Sequence, residues 1–506
     1  MPASSCDPHP RPEAGGAGGD AGGSPEDDPA HRIMASEETF MSIDRVHRLI
    51  DERRGESLDV LKTLIRQPSI SAQDKGVKEC ARLLSGILHE FGIPSRIIDT
   101  PTQPVVYGEI VNHPGGYTLI CYGHYDVQPP EPLDLWQSPP FEPTIRDGRV
   151  YGRGTGDNKG QLITHVLAAK AWMDTAGGPP INLKFVFEGE EESGSRSLGH
   201  FVREHKGALA ADLVCISDGG LHPSGAPTIS LGNRGILGIT LVARGADRDN
   251  HSGNKGGVAP NPVWMLVHLL STMVDSNGRV LIDGFYDAVR PIGQTEERLL
   301  AKMDFDPKAF AATMGLHTIE MDGPSYWKRI MLQPYFNING FISGYVGPGS
   351  KTIIPSTAEC RIDIRLVVDQ ETRDIDEKVK AHVAKVDPRI EVQSRGFGTM
   401  EATRTSPDHP AVGVVAGAIK AYRGIEPTVN LSSGGSLPNA VWPNILGVDH
   451  IGVPYANADE NNHSPNENIS LERFQDGIHV SAQVFQALAD ADAEKKLPRG
   501  KDAAHR

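Results

Sequence analysis

Cysteine is scarce in this 506-residue chain: Cys6, Cys80, Cys121, Cys215 and Cys360 make an odd number with no C-x-x-C pair. That spacing excludes a disulfide framework and a thiolate zinc knuckle, and the cysteines read as reduced, mostly buried thiols of a cytoplasmic protein. Long apolar runs are missing as well. None approaches the roughly 20 residues that a membrane-spanning helix requires, so no membrane partner is expected. No Lys/Arg run occurs and the formal net charge is −15, which argues against nucleic acid or an anionic membrane surface. Large apolar residues are nearly absent from residues 1–36, a Pro-, Gly-, Ala- and acid-rich stretch that cannot bury enough surface to fold and reads as a disordered tail. It has neither the basic n-region nor the apolar h-region of a secretory signal.

What is present predicts a globular protein of two domains: the chain is 38% hydrophobic and 23% charged, and it is too long for one average domain. From Ser42 apolar residues recur at helical spacing (Ile43, Val46, Leu49, Ile50). Strand-like runs at 105–111, 117–122, 183–187 and 213–216 then alternate with helical ones at 159–172 and 195–205. Alternation of this kind predicts an α/β layer, a mostly parallel sheet sandwiched by helices. After Gly232 the rhythm becomes β-α-β-β-α-β, with strands at 236–243, 335–342, 357–368 and 390–394, helices at 262–274 and 373–386, and an irregular, partly helical insert at 276–333. That order predicts a smaller, ferredoxin-like α+β domain. The expected division is 37–232 and 397–492 for the first domain, 233–396 for the domain inserted into it, and a frayed tail from 493. From Pro410 the first pattern returns, with a helix to about 422, a strand-like run at 444–451 and a closing helix at 471–488.

Acidic and His positions recur just past the strands. In YTLICYGHYDVQPP, His124 follows the run 118–122 and Asp126 lies two residues on, placed to hold the ring's other N–H. Asp157 ends the Gly-rich turn YGRGTGD, Glu190, Glu191 and Glu192 follow 183–187, and Asp218 follows 213–216. Ligands of open α/β sheets bind beyond the carboxyl ends of the strands, and His463, in the polar loop ADENNHSPNE, could return to the same rim. Singly, each acid reads equally well as a solvated loop residue. Brought together, like charges ~4 Å apart repel by about 4 kcal/mol each at an effective dielectric of ~20, so a converging set needs cations. Two divalent ions with one bridging carboxylate, and one carboxylate and one His on each ion, form a self-consistent co-catalytic arrangement.

The series HYDVQP, GRGTGDNKG, EGEEESGS, ISD and NNHSPNE resembles the co-catalytic zinc peptidase family of acetylornithine deacetylase, succinyl-diaminopimelate desuccinylase and carnosinase. The likeness spans about 40–490 and is greatest to the carnosinase and cytosolic non-specific dipeptidase branch. The resemblance implies His124, Asp157, Glu192, Asp218 and His463 as metal ligands, with Asp157 bridging. It implies Asp126 behind His124 and Glu191 as general base; the motif end EESGS sets this register, because Glu190 stands where that branch often has an apolar residue. It implies two divalent ions per subunit, zinc first, with manganese or cobalt as alternatives. His251 in NHSGNKGG resembles a His that reaches the neighbouring subunit's site to stabilise the oxyanion, so a homodimer through the lid domain is expected. Thr352 in GPGSKTIIP, Arg365 in the alternating strand TAECRIDIRL and Ser436 in SSGGSLPN resemble substrate contacts, Arg365 holding a carboxylate by a two-point fork. The implied function is hydrolysis of the amide bond of dipeptides or similar small substrates bearing a free C-terminal carboxylate. The alternative is an N-acyl-amino-acid deacylase, for acetyl, succinyl or carbamoyl groups, on the same metal site.

Overall fold

The computed structural model describes residues 43–222 and 224–500, with the backbone alone at 395–398; the expected tail 1–36 lies outside the described residues. Strands β1 (Ser95–Ile98), β2 (Val105–Ile110), β3 (Thr118–His124), β4 (Asn182–Glu188), β5 (Leu213–Ile216) and β6 (Thr228–Ser230) precede the inserted domain. That domain holds β7 (Gly235–Arg244), β8 (Tyr335–Ser343), β9 (Thr357–Leu366) and β10 (Glu391–Met400), and β11 (Thr428–Asn430) and β12 (His450–Gly452) follow it.

Eight strands make one sheet in the order β1-β2-β4-β3-β5-β12-β6-β11. Its central four, β4, β3, β5 and β12, are parallel. Every residue of β4 and β5 is buried, as a parallel sheet covered on both faces requires. Helix α1 (Lys159–Ala176) carries the chain from the β3 side toward β4 and is buried over most of its length. At its first turn a Cβ on Gly160 would stand 1.9 Å from the carbonyl oxygen of Thr155, so only glycine fits there.

The inserted domain is an antiparallel sheet in the order β8-β9-β7-β10. Along β9, Cys360, Ile362, Ile364 and Leu366 are buried against α2 (Pro262–Met273) and α3 (Thr372–Val386). Glu359, Arg361, Asp363 and Arg365 take the opposite face, the period-two pattern of a sheet covered on one side. Helices on one face of a sheet in this order are the ferredoxin-like arrangement, inserted as a lid into the larger α/β domain. The chain re-enters the first layer through α4 (Pro410–Arg423) and closes with α5 (Leu471–Ala493). Among the described residues no helix is long and apolar enough to cross a membrane.

Three details depart from expectation. The region 276–333 contains three helices, Gln294–Lys302, Pro307–Thr313 and Gly323–Leu332. Leu300, Met303, Trp327, Met331 and Leu332 belong to the same apolar cluster as the large sheet, not to the lid's core. Residues 494–500, expected to fray, fold back: Leu497 is buried, and Asp212 receives the Gly500 N–H at 2.8 Å and the Arg499 guanidinium at 3.3 Å. The run 444–451 is a strand only at its last two residues, where β12 begins, because a wide helical turn at Trp442–Leu446 buries Trp442 and ends at left-handed Gly447.

Gly160→Ala should destabilise the chain by about 1–3 kcal/mol, as overpacking does, measured as a lower denaturant midpoint with an unchanged slope.

Candidate metal centre

The parallel strands end in loops at one rim, and these loops carry the chemistry. His124 is the last residue of β3 and pairs in register with Glu188, the last of β4. A short turn at Glu191–Ser193 follows β4, Asp218 lies two residues past β5, and Asp157 closes the Gly-rich turn before α1. His463 comes from the loop before α5. There Asn461 (φ 56°), His463 (φ 55°) and Asn466 (φ 63°) all hold left-handed backbone, which costs of order 1–3 kcal/mol per non-glycine residue and gathers at functional sites.

The carboxylate of Asp157 faces two imidazoles with different oxygens. Its Oδ1 lies 3.1 Å from His124 Nε2, and its Oδ2 lies 3.0 Å from His463 Nε2. Asp218 Oδ2 completes the first group, 3.6 Å from His124 Nε2, and Glu192 Oε2 the second, 3.2 Å from His463 Nε2. Within each trio, His124–Asp157–Asp218 and Asp157–Glu192–His463, the donor atoms lie within 4.8 Å of one another. Three protein ligands per trio, all nitrogen or carboxylate oxygen, suit a divalent ion that keeps a position open for reaction.

The buried atoms of His124 test whether a cation fits. Its Nδ1 lies 3.2 Å from the Asp126 carbonyl and 3.4 Å from the Asp126 carboxylate, so this network assigns the ring proton to Nδ1. Nε2 then directs a lone pair toward two carboxylate oxygens and has no aligned hydrogen-bond partner, although it is buried. A donor set of this kind is complete only with a cation at its centre. With protons as the only cations, burial would lower the pKa of His124, but Asp126, Asp157 and Asp218 outweigh it and hold the ring well above the usual imidazole range. Asp157 and Glu192 likewise hold His463 up to about 10. A field that strong attracts dications.

Asp126 is fully buried and does two jobs. Besides facing His124, its oxygens accept the backbone N–H groups of Glu191 and Glu192, each at 3.1 Å. The orientation of the imidazole is thereby tied to that of the two glutamates. Burial, then the charges of Asp218, Glu192 and Asp157 acting against His124, hold the Glu191 carboxyl well above the ordinary range. Gln128 donates to Glu192 Oε2 at 2.9 Å. Glu190 turns elsewhere: it accepts from Thr102 Oγ1 at 2.5 Å and from the Ser197 N–H at 2.6 Å, at the start of the next helix.

On the substrate side, Arg365 Nη1 donates to Ser436 Oγ at 2.9 Å, joining a lid residue to the returning segment. His251 pairs with Ile353 in a two-stranded ladder, and next to it the Ser252 N–H donates to the Thr352 carbonyl at 3.0 Å. His251 is exposed, and its Nδ1 accepts from its own loop at Gly253. Neither residue touches a member of the two trios.

Two buried acids escaped the sequence reading. Glu467 accepts the N–H groups of Gly154, Gly156 and Asp157, each at 3.0 Å, and pairs with Arg153 at 2.7 Å. It therefore fixes the turn that aims Asp157. Glu460 is buried beside this turn, and a Cβ on Gly156 would lie 2.1 Å from its Oε2. Burial, then Asp157, Glu467 and Asp218, hold its carboxyl well above the usual range. Glu460 and Glu467 both flank His463 in DENNHSPNE, but nothing in that spacing marks an acid as buried.

Comparison with known proteins agrees with this geometry. The profile of peptidase family M20/M25/M40 matches residues 120–487. The chain is 30% identical over 471 residues to the Cys-Gly metallodipeptidase dug1 of Schizosaccharomyces pombe, covering 89% of this chain and 99% of that protein. It is 27% identical over 475 residues to the human Beta-Ala-His dipeptidase, covering 88% and 93%. Its fold matches the M20 family metallo-carboxypeptidase Sso-CP2 of Sulfolobus solfataricus with a TM-score of 0.80 and 34% identity, over 86% of this chain and 99% of that one.

Glu467→Gln places an amide against backbone donors and should lower divalent-metal affinity by about 10–100-fold, as loss of a ligand's support does. Competition titration with a chelating dye measures it; unchanged affinity in a folded variant would refute the supporting role.

Proposed function

The chain belongs to peptidase family M20/M25/M40, and we propose from that membership a specific division of labour for its hydrolysis of dipeptides and similar small peptides. The observation that carries the proposal is Asp157 shared between two ligand trios with Glu191 at their edge. Divalent cations held by His124, Asp157 and Asp218 and by Asp157, Glu192 and His463 supply Lewis acidity, which polarises a carbonyl and brings the pKa of water down to about 7. Imidazole and carboxylate donors without a thiolate suit zinc, and also manganese or cobalt.

The chain's own groups do the rest. Glu191 takes the proton of the attacking water and returns it to the leaving amine; its raised proton affinity suits a carrier that must hold the proton between the two steps. Asp126 fixes the angle between Glu191 and His124. Arg365, Thr352 and Ser436 hold the substrate's C-terminal carboxylate. His251 of the partner subunit stabilises the oxyanion, which makes the active species a homodimer. Strand β8 supports that assembly: it is an edge of the lid sheet, with Ile338, Phe341 and Ile342 exposed, a combination that monomers avoid. The lid in this reading is 233–396 and the catalytic segments are 37–232 and 397–492, with the helices of 294–332 built into the catalytic core. Buried free thiols at Cys80, Cys121, Cys215 and Cys360 support a reducing, cytoplasmic setting. One similar structure is called a carboxypeptidase; both activities read a free C-terminus, and they differ only in how much chain lies before the cleaved bond.

Glu191→Gln should retain both metal ions and lose about 10²–10⁴ in kcat, checked by metal analysis beside a dipeptide assay. Near-normal turnover would show that another group is the base. Light scattering should give a dimer, and Ile338→Lys with Phe341→Lys should yield an inactive monomer. A monomer with full activity would exclude the shared His251.

A further inference from the structure

Arg234, the last residue before β7, has a place in the lid that the reaction described so far leaves unused. It is 5% exposed, yet its Nη1 is buried with no hydrogen-bond partner. Its Nε donates to the Gly434 carbonyl at 3.4 Å, and its guanidinium lies over the Tyr335 ring at 5.0 Å. Among the described residues no carboxylate pairs with it.

The sheet register places this group beside Arg365. Ile236 and Tyr335 are the two cross-strand neighbours of Arg365. Arg234 precedes the strand, and its guanidinium lies over the ring of Tyr335, one of those two neighbours. Both guanidiniums grip one loop of the returning segment, Arg234 at Gly434 and Arg365 at Ser436. Arg365 also keeps a buried Nε without a hydrogen-bond partner. The nearest resident anion is Asp363, 3.6 Å from Arg365 Nε and already accepting from Asn337 and Asn339. Two guanidiniums against one carboxylate leave the pocket one negative charge short, with two buried N–H donors unpaired. Leaving a charged donor in that state is costly unless a ligand completes it. Burial, and then the neighbouring Arg365, lower the pKa of Arg234 against the pull of Tyr335.

We infer that Arg234 is a second carboxylate-binding residue, and that Arg234 and Arg365 together grip the substrate's C-terminal carboxylate across the lid–catalytic junction. The inference rests on the proposed clamp at Arg365 and adds what sets its strictness. A single carboxylate closes the charge count and offers an oxygen to each guanidinium; a C-terminal amide brings no charge, has one acceptor oxygen and turns its NH2 toward the remaining donor. The chain therefore discriminates free acid from amide by the pair, not by Arg365 alone.

The test compares alanyl-glycine with alanyl-glycinamide on the metal-reconstituted enzyme, for wild type, Arg234→Met, Arg234→Lys and Arg365→Met. Wild type should prefer the acid by at least about 100-fold in kcat/KM, the scale of a well-paired buried carboxylate. Arg234→Met should raise KM for the acid by about 10–100-fold, leave kcat and the amide within about two-fold, and so collapse the ratio. Arg234→Lys, which keeps the charge without the fork, should fall between them and covers the case in which the Met variant does not fold. If both substrates fall equally, or kcat falls at constant KM, Arg234 is merely structural and the inference fails. If wild type already cleaves the amide as readily as the acid, the carboxylate clamp itself is refuted, and with it the proposed recognition of a free C-terminus.

Discussion

Mutual repulsion among carboxylates is the constraint that this structure is built to withstand. Asp157, Glu192 and Asp218 bring three negative charges into two trios whose donor atoms lie within 4.8 Å of one another, and Glu191 adds a fourth acid at the edge. Each like-charged pair at such a distance costs about 4 kcal/mol at an effective dielectric of ~20. Side-chain packing alone would let such groups swing apart. The fold instead anchors them through the main chain: Asp126 holds the N–H groups of Glu191 and Glu192, and Glu467 holds those of Gly154, Gly156 and Asp157. Once the acids are fixed, two dications answer three ligand carboxylates and leave one positive charge over, which suits the attack of an anionic oxygen on a neutral amide.

Much of this was readable from the residues because strands in a parallel layer end abruptly. His124, Asp218 and the glutamates after β4 each follow an apolar run that stops, so their place at the rim follows from periodicity and punctuation. The lid was readable for the same reason, since TAECRIDIRL alternates along its whole length and buries every second residue. Glu467 and Glu460 were not readable. A buried acid satisfied by backbone N–H groups, as Glu467 is, has no period and no partner of opposite charge nearby in sequence, and Glu460 buries an Oε2 with no hydrogen-bond partner at all. The short strands β1, β6 and β11, three or four residues each, carry too few alternations to register. The helices of 294–332 were seen as partly helical, but which core they join depends on long-range packing that local spacing does not encode. The same is true of 494–500, whose lysines and glutamate look solvated while Leu497 is buried.

The carboxylate pocket inferred at Arg234 and Arg365 would divide between the two domains. Arg234 and Arg365 stand on the lid sheet, while Gly434 and Ser436 come from the segment that has returned to the catalytic layer. A ligand held there would tie the domains together and couple its binding to closure of the lid. Binding energy from the non-reacting end of the substrate can thereby hold the reacting end at the rim. This is why the pocket lies at the junction and not wholly within either domain.

The dependence of Asp157 on Glu467 also orders events during synthesis. The Gly-rich turn emerges from the ribosome some three hundred residues before the glutamate that shapes it, with the whole lid translated in between. Until then neither trio has its shared aspartate fixed, and the second lacks His463. The second trio is therefore complete only once His463 has been made, and the first, whose ligands all precede the lid, gains the support of its aspartate only with Glu467. A polypeptide cut short before residue 467 lacks the acid that shapes the Gly-rich turn.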